Sequence, residues 1–182
     1  MNKLISRLSI VGAIFVIVAG TLLHFVYGWS GDNFIVGLFA PVNESVWEHM
    51  KLAFIPLIIF GFIDYAYLGS KVKNYCFALM KEVGVAIVFI IAVFYIYTAF
   101  TGDSILWVDI SSFIVGVILA KWTGYLILTD RFKKYEFRGL NTLSAIILAA
   151  IFVFFIYATL NPPHVGLFRD PVSGGFGIEN NI

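Results

Sequence analysis

The sequence predicts an all-α integral membrane protein: one domain over residues 1–182, a bundle of five transmembrane helices with a cytoplasmic N-terminus and an outside C-terminus. Three observations carry this reading. The 182 residues are 60% hydrophobic and only 13% charged, with a mean hydropathy of +0.94, too little polar surface for a soluble domain of this length. Five stretches come close to the roughly 20 mostly apolar residues that cross a bilayer. Lysines and arginines gather in alternate connections between them, as the cytoplasmic excess of positive charge requires.

The first span covers about residues 4–27. Lys3 and Arg7 before it and Val18-Ala19-Gly20 within it have the look of a secretory signal. The apolar run continues through Leu22, Leu23, Phe25 and Val26, longer than a usual signal core, so an uncleaved helix is expected. An outer connection, 28–51, follows. Its piece Phe34–Phe39 is apolar but too short to span and reads as an interfacial or re-entrant segment. The second span covers about 52–68 and the third about 83–100. The fourth, about 105–128, carries Asp109 and Lys121, whereas the fifth, about 140–160, carries no charge. Asn161-Pro162-Pro163 stops it, and the tail 161–182 is expected to fold back over the outer end, because Leu167, Phe168 and Phe176 are apolar for an exposed tail.

The orientation follows from the charges. Lys3 and Arg7, then Lys71, Lys73 and Lys81, then Arg131, Lys133, Lys134 and Arg138 fall on one side. The other side holds Lys51 and Arg169 against Asp32, Glu44, Glu48, Asp103, Asp170 and Glu179. The net charge of +1 offers nothing to nucleic acid, and the single Cys76 excludes an internal disulfide or a cysteine-rich metal site.

The densest polar chemistry is in "APVNESVWEHMKLAFIP", residues 40–56. Pro41 and Asn43 read as the start and cap of a helix that runs on into the second span. Helical spacing then puts Glu44 and Glu48 on one face and Ser45 and His49 on the next. The topology places His24, His49 and His164 all at the outer end, and a folded-back tail would bring His164 and Asp170 to the same place. Histidines with carboxylates are the ligand set of zinc and related divalent ions. On this reading His24, His49 and His164 are ligands, while Glu44 or Glu48 is a ligand or the general base on a metal-bound water. Asn43, Ser45 and Asp170 complete the polar site. No standard metal motif is present, and each residue also has an ordinary structural reading: carboxylates favoured by a helix dipole, histidines and tryptophans at an interface. Trp29, Trp47 and Trp107 fit an outer aromatic belt and Trp122 an inner one.

Deeper in, Asp64 and Lys121 lie at matching depths of the second and fourth spans. They read either as a buried ion pair that staples helices or as a solvent-seeking lysine beside an aspartate. Asp109, near the outer interface, is a candidate for the outer cluster.

"LHFVYGWSGDNFIVGLFAPVNESVWEHMKLAFIP" (23–56) and "PPHVGLFRDPVSGGFGI" (162–178) together resemble a family of small bacterial multi-pass membrane proteins known as a domain of unknown function. The resemblance covers essentially the whole chain and rests on PVNES-x-WEH-x-K and LF-x-DP-x-x-G-x-x-GI. It implies a multi-pass fold in a bacterial cytoplasmic membrane and supplies no catalytic residue. Three functions stay open: an outward-facing metal site, hydrolytic on a lipid or envelope substrate; binding or transport of a small solute or ion past Asp64 and Lys121; and a non-enzymatic scaffold. Membrane ceramidase-like metallohydrolases are similar only in ligand type, because this chain has too few spans and no HxxxH pair.

Overall fold

A computed structural model describes residues 1–69, 71–129 and 139–178. Arg131, Lys133, Lys134, Arg138 and Glu179, part of the charge argument, lie outside the described residues. The helices run α1 (Asn2–Trp29), α2 (Phe34–Gly37), α3 (Val46–Leu68), α4 (Tyr75–Thr101), α5 (Leu106–Leu128) and α6 (Leu140–Leu160), and a single 3-10 turn, Gly166–Phe168, follows. All but α2 are long and apolar enough to cross a membrane. Among the described residues the only β pairing is one isolated bridge, Arg169 with Phe176.

The five expected spans are therefore present, and three of them are longer than the hydropathy alone marked. α3 begins at Val46 rather than 52 and α4 at Tyr75 rather than 83. Both extra stretches carry charged residues, which lower a hydropathy average but do not break a helix: Glu48, Lys51 and Glu82 are buried in ion pairs and Lys81 is exposed.

Polarity is arranged inside-out relative to a water-soluble protein. Ile10, Ile14, Phe62, Val88, Ile118, Ile146 and Val153 are all more than half exposed, while Glu48, Lys51, Asp64, Glu82 and Lys121 are all 4% exposed or less. Apolar exteriors around buried charges are what a hydrocarbon solvent selects, since it gains nothing from hiding leucine and penalises an unpaired charge.

α3 is the central helix: 56% of its apolar window is buried, against 17% for α1 and for α4. α1 packs on α3 and α5, and α4 packs on α3, α5 and α6. Glycines set these close approaches, because small residues let transmembrane backbones meet. Pro56 inside α3 has no N–H to offer the Leu52 carbonyl. Gly20 of α1 lies against that carbonyl, leaving no room for a Cβ. Gly12 lies against the Phe60 ring and the Lys121 stem, and Gly124 against the Glu82 carboxylate.

At the end of the bundle that carries residues 30–45, the core is aromatic. Trp47 stacks on Phe155 at 4.6 Å and meets Phe168 of the 3-10 turn at 4.6 Å, and Phe54 stacks on Phe155 at 4.6 Å. Trp47 is thus a core residue, 8% exposed, and not part of an interfacial belt. Trp29, Trp107 and Trp122 are exposed, as a belt would have them. The tail does fold back: the Ile178 N–H donates to the Thr159 carbonyl at 3.2 Å, and Asn43 Nδ2 donates to the Gly177 carbonyl at 3.0 Å. Gly177 takes a φ of +55° with the Thr159 carbonyl against it, a position only glycine fills without strain.

Candidate metal centre

The cluster is built from three places in the chain. His24 projects from the last turns of α1 and His49 from the first turn of α3, and Glu44 lies in the connection just ahead of α3. α3 starts where it does because Ser45 caps it, its hydroxyl accepting the Glu48 N–H at 3.2 Å. Asn43 was expected to be that cap. Instead its Oδ1 accepts the Ser45 N–H at 2.9 Å and its amide reaches the tail.

This shift separates the two glutamates. Glu44 falls outside the helix, so the shared face expected for Glu44 and Glu48 does not form. Glu44 Oε2 lies 3.4 Å from His49 Nε2, and Glu44 Oε1 lies 3.9 Å from His24 Nε2. The two imidazole rings are 5.2 Å apart. One ligand atom from each of His24, Glu44 and His49 lies within 4.8 Å of the others. All three side chains remain partly accessible, at 31%, 49% and 30%.

The His49 ring is oriented by the backbone. Its Nδ1 lies 3.0 Å from the Ser45 carbonyl. A carbonyl only accepts, so Nδ1 carries a proton, and this contact turns Nε2 towards Glu44. A histidine whose second nitrogen donates to a carbonyl is the usual arrangement around a bound metal. His24 Nδ1, in contrast, is buried without a partner.

Glu48 belongs to a different structure, which corrects its expected place in the outer cluster. Its Oε2 accepts from Lys51 Nζ at 2.6 Å and from the Val42 N–H at 3.1 Å, and its Oε1 accepts from the Thr159 hydroxyl at 2.9 Å. Lys51 also donates to the carbonyls of Gly37 (3.0 Å) and Ala40 (3.2 Å), closing the C-terminal end of α2. Its three protons are all used. The pair joins α2, α3 and α6 beneath the cluster, with no face left for a ligand or for base catalysis.

Three other expected members also lie elsewhere. His164 stacks on Phe176 at 4.5 Å and is not among the converging atoms. Asp109 accepts from the Tyr97 hydroxyl at 2.7 Å, which fastens the α4–α5 hairpin. Asp170 supports the cluster from behind. It accepts the N–H of Val172 at 2.9 Å, the Ser173 hydroxyl at 2.5 Å, and the backbone N–H groups of Ser173 and Glu44. Burial alone would push its pKa up; these hydrogen bonds outweigh it and hold the carboxyl below the usual carboxylate range. A cavity of about 190 Å³ opens between this turn and the 41–45 connection, with Glu44 in its wall.

Asp64 and Lys121 do pair, at 3.3 Å, and Glu82 of α4 joins them at 2.9 Å from Lys121 Nζ. Sequence reasoning did not single out Glu82, which the expected bounds left one residue ahead of the third span. It also counted Lys51 only as an outer charge. The signals that could have found them are a lysine three residues after a glutamate at a helix start, and a second carboxylate near an intramembrane lysine.

The chain belongs to the family of unknown function DUF6512, which matches residues 2–178. No curated protein and no solved structure matches it significantly.

Proposed function

We propose that this member of the family is a membrane protein that binds a divalent metal ion, zinc by ligand type, at the outer face of a bacterial cytoplasmic membrane through His24, Glu44 and His49. The observation that carries the reading is the convergence of two imidazole nitrogens and one carboxylate with the His49 ring already oriented. In a tetrahedral zinc site, bonds of about 2.0–2.1 Å put ligand atoms about 3.3–3.4 Å apart. His49 Nε2 and Glu44 Oε2 are at 3.4 Å and His24 Nε2 and Glu44 Oε1 at 3.9 Å. With one ligand atom from each residue within 4.8 Å of the others, closure on an ion needs side-chain movements of up to about 1.4 Å. A His–His–Glu set leaves the fourth position to water or to a ligand arriving from the cavity beside Glu44.

Binding is the stronger half of the reading. Hydrolysis of a lipid or envelope substrate asks for a second carboxylate as base, and Glu48 is engaged with Lys51 and Thr159. Glu44 serves as ligand or as base, not as both at once. The outward orientation rests on Lys3, Arg7, Lys71, Lys73 and Lys81 at the opposite end.

Zinc titration of the chelator-stripped protein in detergent tests the ligand set. His24→Ala and Glu44→Gln should each lower affinity at least tenfold, with His164→Ala matching wild type. Equal affinity across all four proteins contradicts the assignment. Labelling of Ser173→Cys, but not Lys71→Cys, by an impermeant thiol reagent on intact cells, in a Cys76→Ser background, tests the orientation.

A further inference from the structure

We propose that Asp64, Glu82 and Lys121 form a proton-binding site inside the bundle, independent of the metal centre, with Asp64 Oδ1 as the atom that takes the proton. Three helices supply the site: Asp64 from α3, Glu82 from α4 and Lys121 from α5. All three are 3–4% exposed. Lys121 Nζ donates to Glu82 Oε2 at 2.9 Å and to Asp64 Oδ2 at 3.3 Å. Two carboxylates against one ammonium leave a formal charge of −1 in a medium where an uncompensated ion is costly.

The geometry assigns the excess charge to one atom. Glu82 has the shorter bond to the lysine. Asp64 has the longer one, and its Oδ1 is buried with no hydrogen-bond partner. Hydronium gives up a proton there: one of its O–H bonds breaks, an O–H bond forms at Oδ1, water is released, and the site becomes neutral. The helices pack closely around two members of the site. Gly124 lies against the Glu82 carboxylate, and Gly12 against Phe60 and the Lys121 stem, with no space for a Cβ at either.

Among the described residues, two further groups beside the site bring it no charge. Tyr75 of α4 commits its hydroxyl to the Gly61 carbonyl at 2.7 Å. α1 contributes Gly12 and no charge. Access is one-sided. Asp64 lies about 6 Å of helical rise from the end of α3 at Leu68, whereas every residue from Leu52 to Ile63 towards the metal centre is apolar. The proton therefore exchanges with the face opposite the metal centre, and the site stores a proton instead of conducting one across.

Infrared spectroscopy of the full chain in lipid nanodiscs at neutral pH tests this through the carbonyl stretch of a protonated carboxyl group. The expected result is one such band per chain, lost in Asp64→Asn, moved in frequency in Asp64→Glu and unmoved in Glu82→Asp, which keeps the excess charge. Wild-type protein needs no substitution to answer the first question: absence of the band at neutral pH overturns the proposal. A band that ignores both Asp64 substitutions, or that moves in frequency in Glu82→Asp, overturns the assignment to Asp64.

Discussion

Replacing Lys51 with methionine isolates the energetic role of the buried pair beside the His24–Glu44–His49 cluster. Methionine keeps most of the volume and removes the ammonium. Lys51 is 0% exposed and Glu48 1%, so neither charge is screened by solvent. The substitution strips Glu48 of its 2.6 Å partner and leaves the carbonyls of Gly37 and Ala40 without the donor they share. Removing one member of a buried ion pair costs about 3–5 kcal/mol, because the remaining charge stays buried. That is roughly two to four orders of magnitude in the unfolding equilibrium. Equilibrium unfolding in mixed micelles, followed by the fluorescence of Trp47 in its stack with Phe155 and Phe168, measures the shift directly. Glu48→Gln should also destabilise, and the double variant should lose clearly less than the sum of the two, as groups in direct contact do. A Lys51→Met protein within about 1 kcal/mol of wild type, or single effects that simply add, would refute the claim that this pair fastens α2, α3 and α6 together.

Other consequences follow from the packing and the tail. Gly124→Ala drives a Cβ into the Glu82 carboxylate, whereas Gly84 meets nothing within 4 Å. Gly124→Ala should therefore cost about 1–3 kcal/mol and Gly84→Ala essentially nothing in the same unfolding assay. Asp170 is held below the ordinary carboxylate range by its hydrogen bonds in the folded tail. A depressed folded-state pKa contributes stability above the unfolded value of about 3.9 and loses it as pH falls through the folded value. Protease nicking of the tail should accordingly be slow at neutral pH and accelerate only below about pH 4. In Asp170→Asn it should be fast throughout, and an Asp170→Asn tail as resistant as wild type would remove this residue from the account.

Much of the architecture was legible because it follows from chain length and solvent. The five apolar runs fix the helices, and the Asp64–Lys121 pair follows from two charges at one depth in a medium that demands partners. The details of the polar end were less legible, because one capping choice governs them. Asn43 and Ser45 are both good caps, and nothing in the local sequence decides between them. Choosing Ser45 puts Glu44 outside the helix and Glu48 inside its first turn. Tertiary contacts then decide their fates: Lys51, Thr159 and Val42 claim Glu48, and the two histidines receive Glu44. Glu82 escaped notice because hydropathy started its helix too late. Trp47 resembled an interfacial residue until the aromatic residues of α6 and the tail closed over it. His164 shows the limit of topology as an argument: it reaches the correct end of the bundle and stacks on Phe176.

The measurement that bears most directly on the metal centre is elemental analysis of detergent-purified wild-type protein beside His49→Ala, each stripped, incubated with zinc and freed of loosely bound ions. The account predicts near-stoichiometric zinc in wild type and its loss in His49→Ala, with both proteins unfolding at similar detergent denaturant concentrations. A well-folded wild-type protein that retains no metal, or a His49→Ala protein that retains as much as wild type, would contradict it.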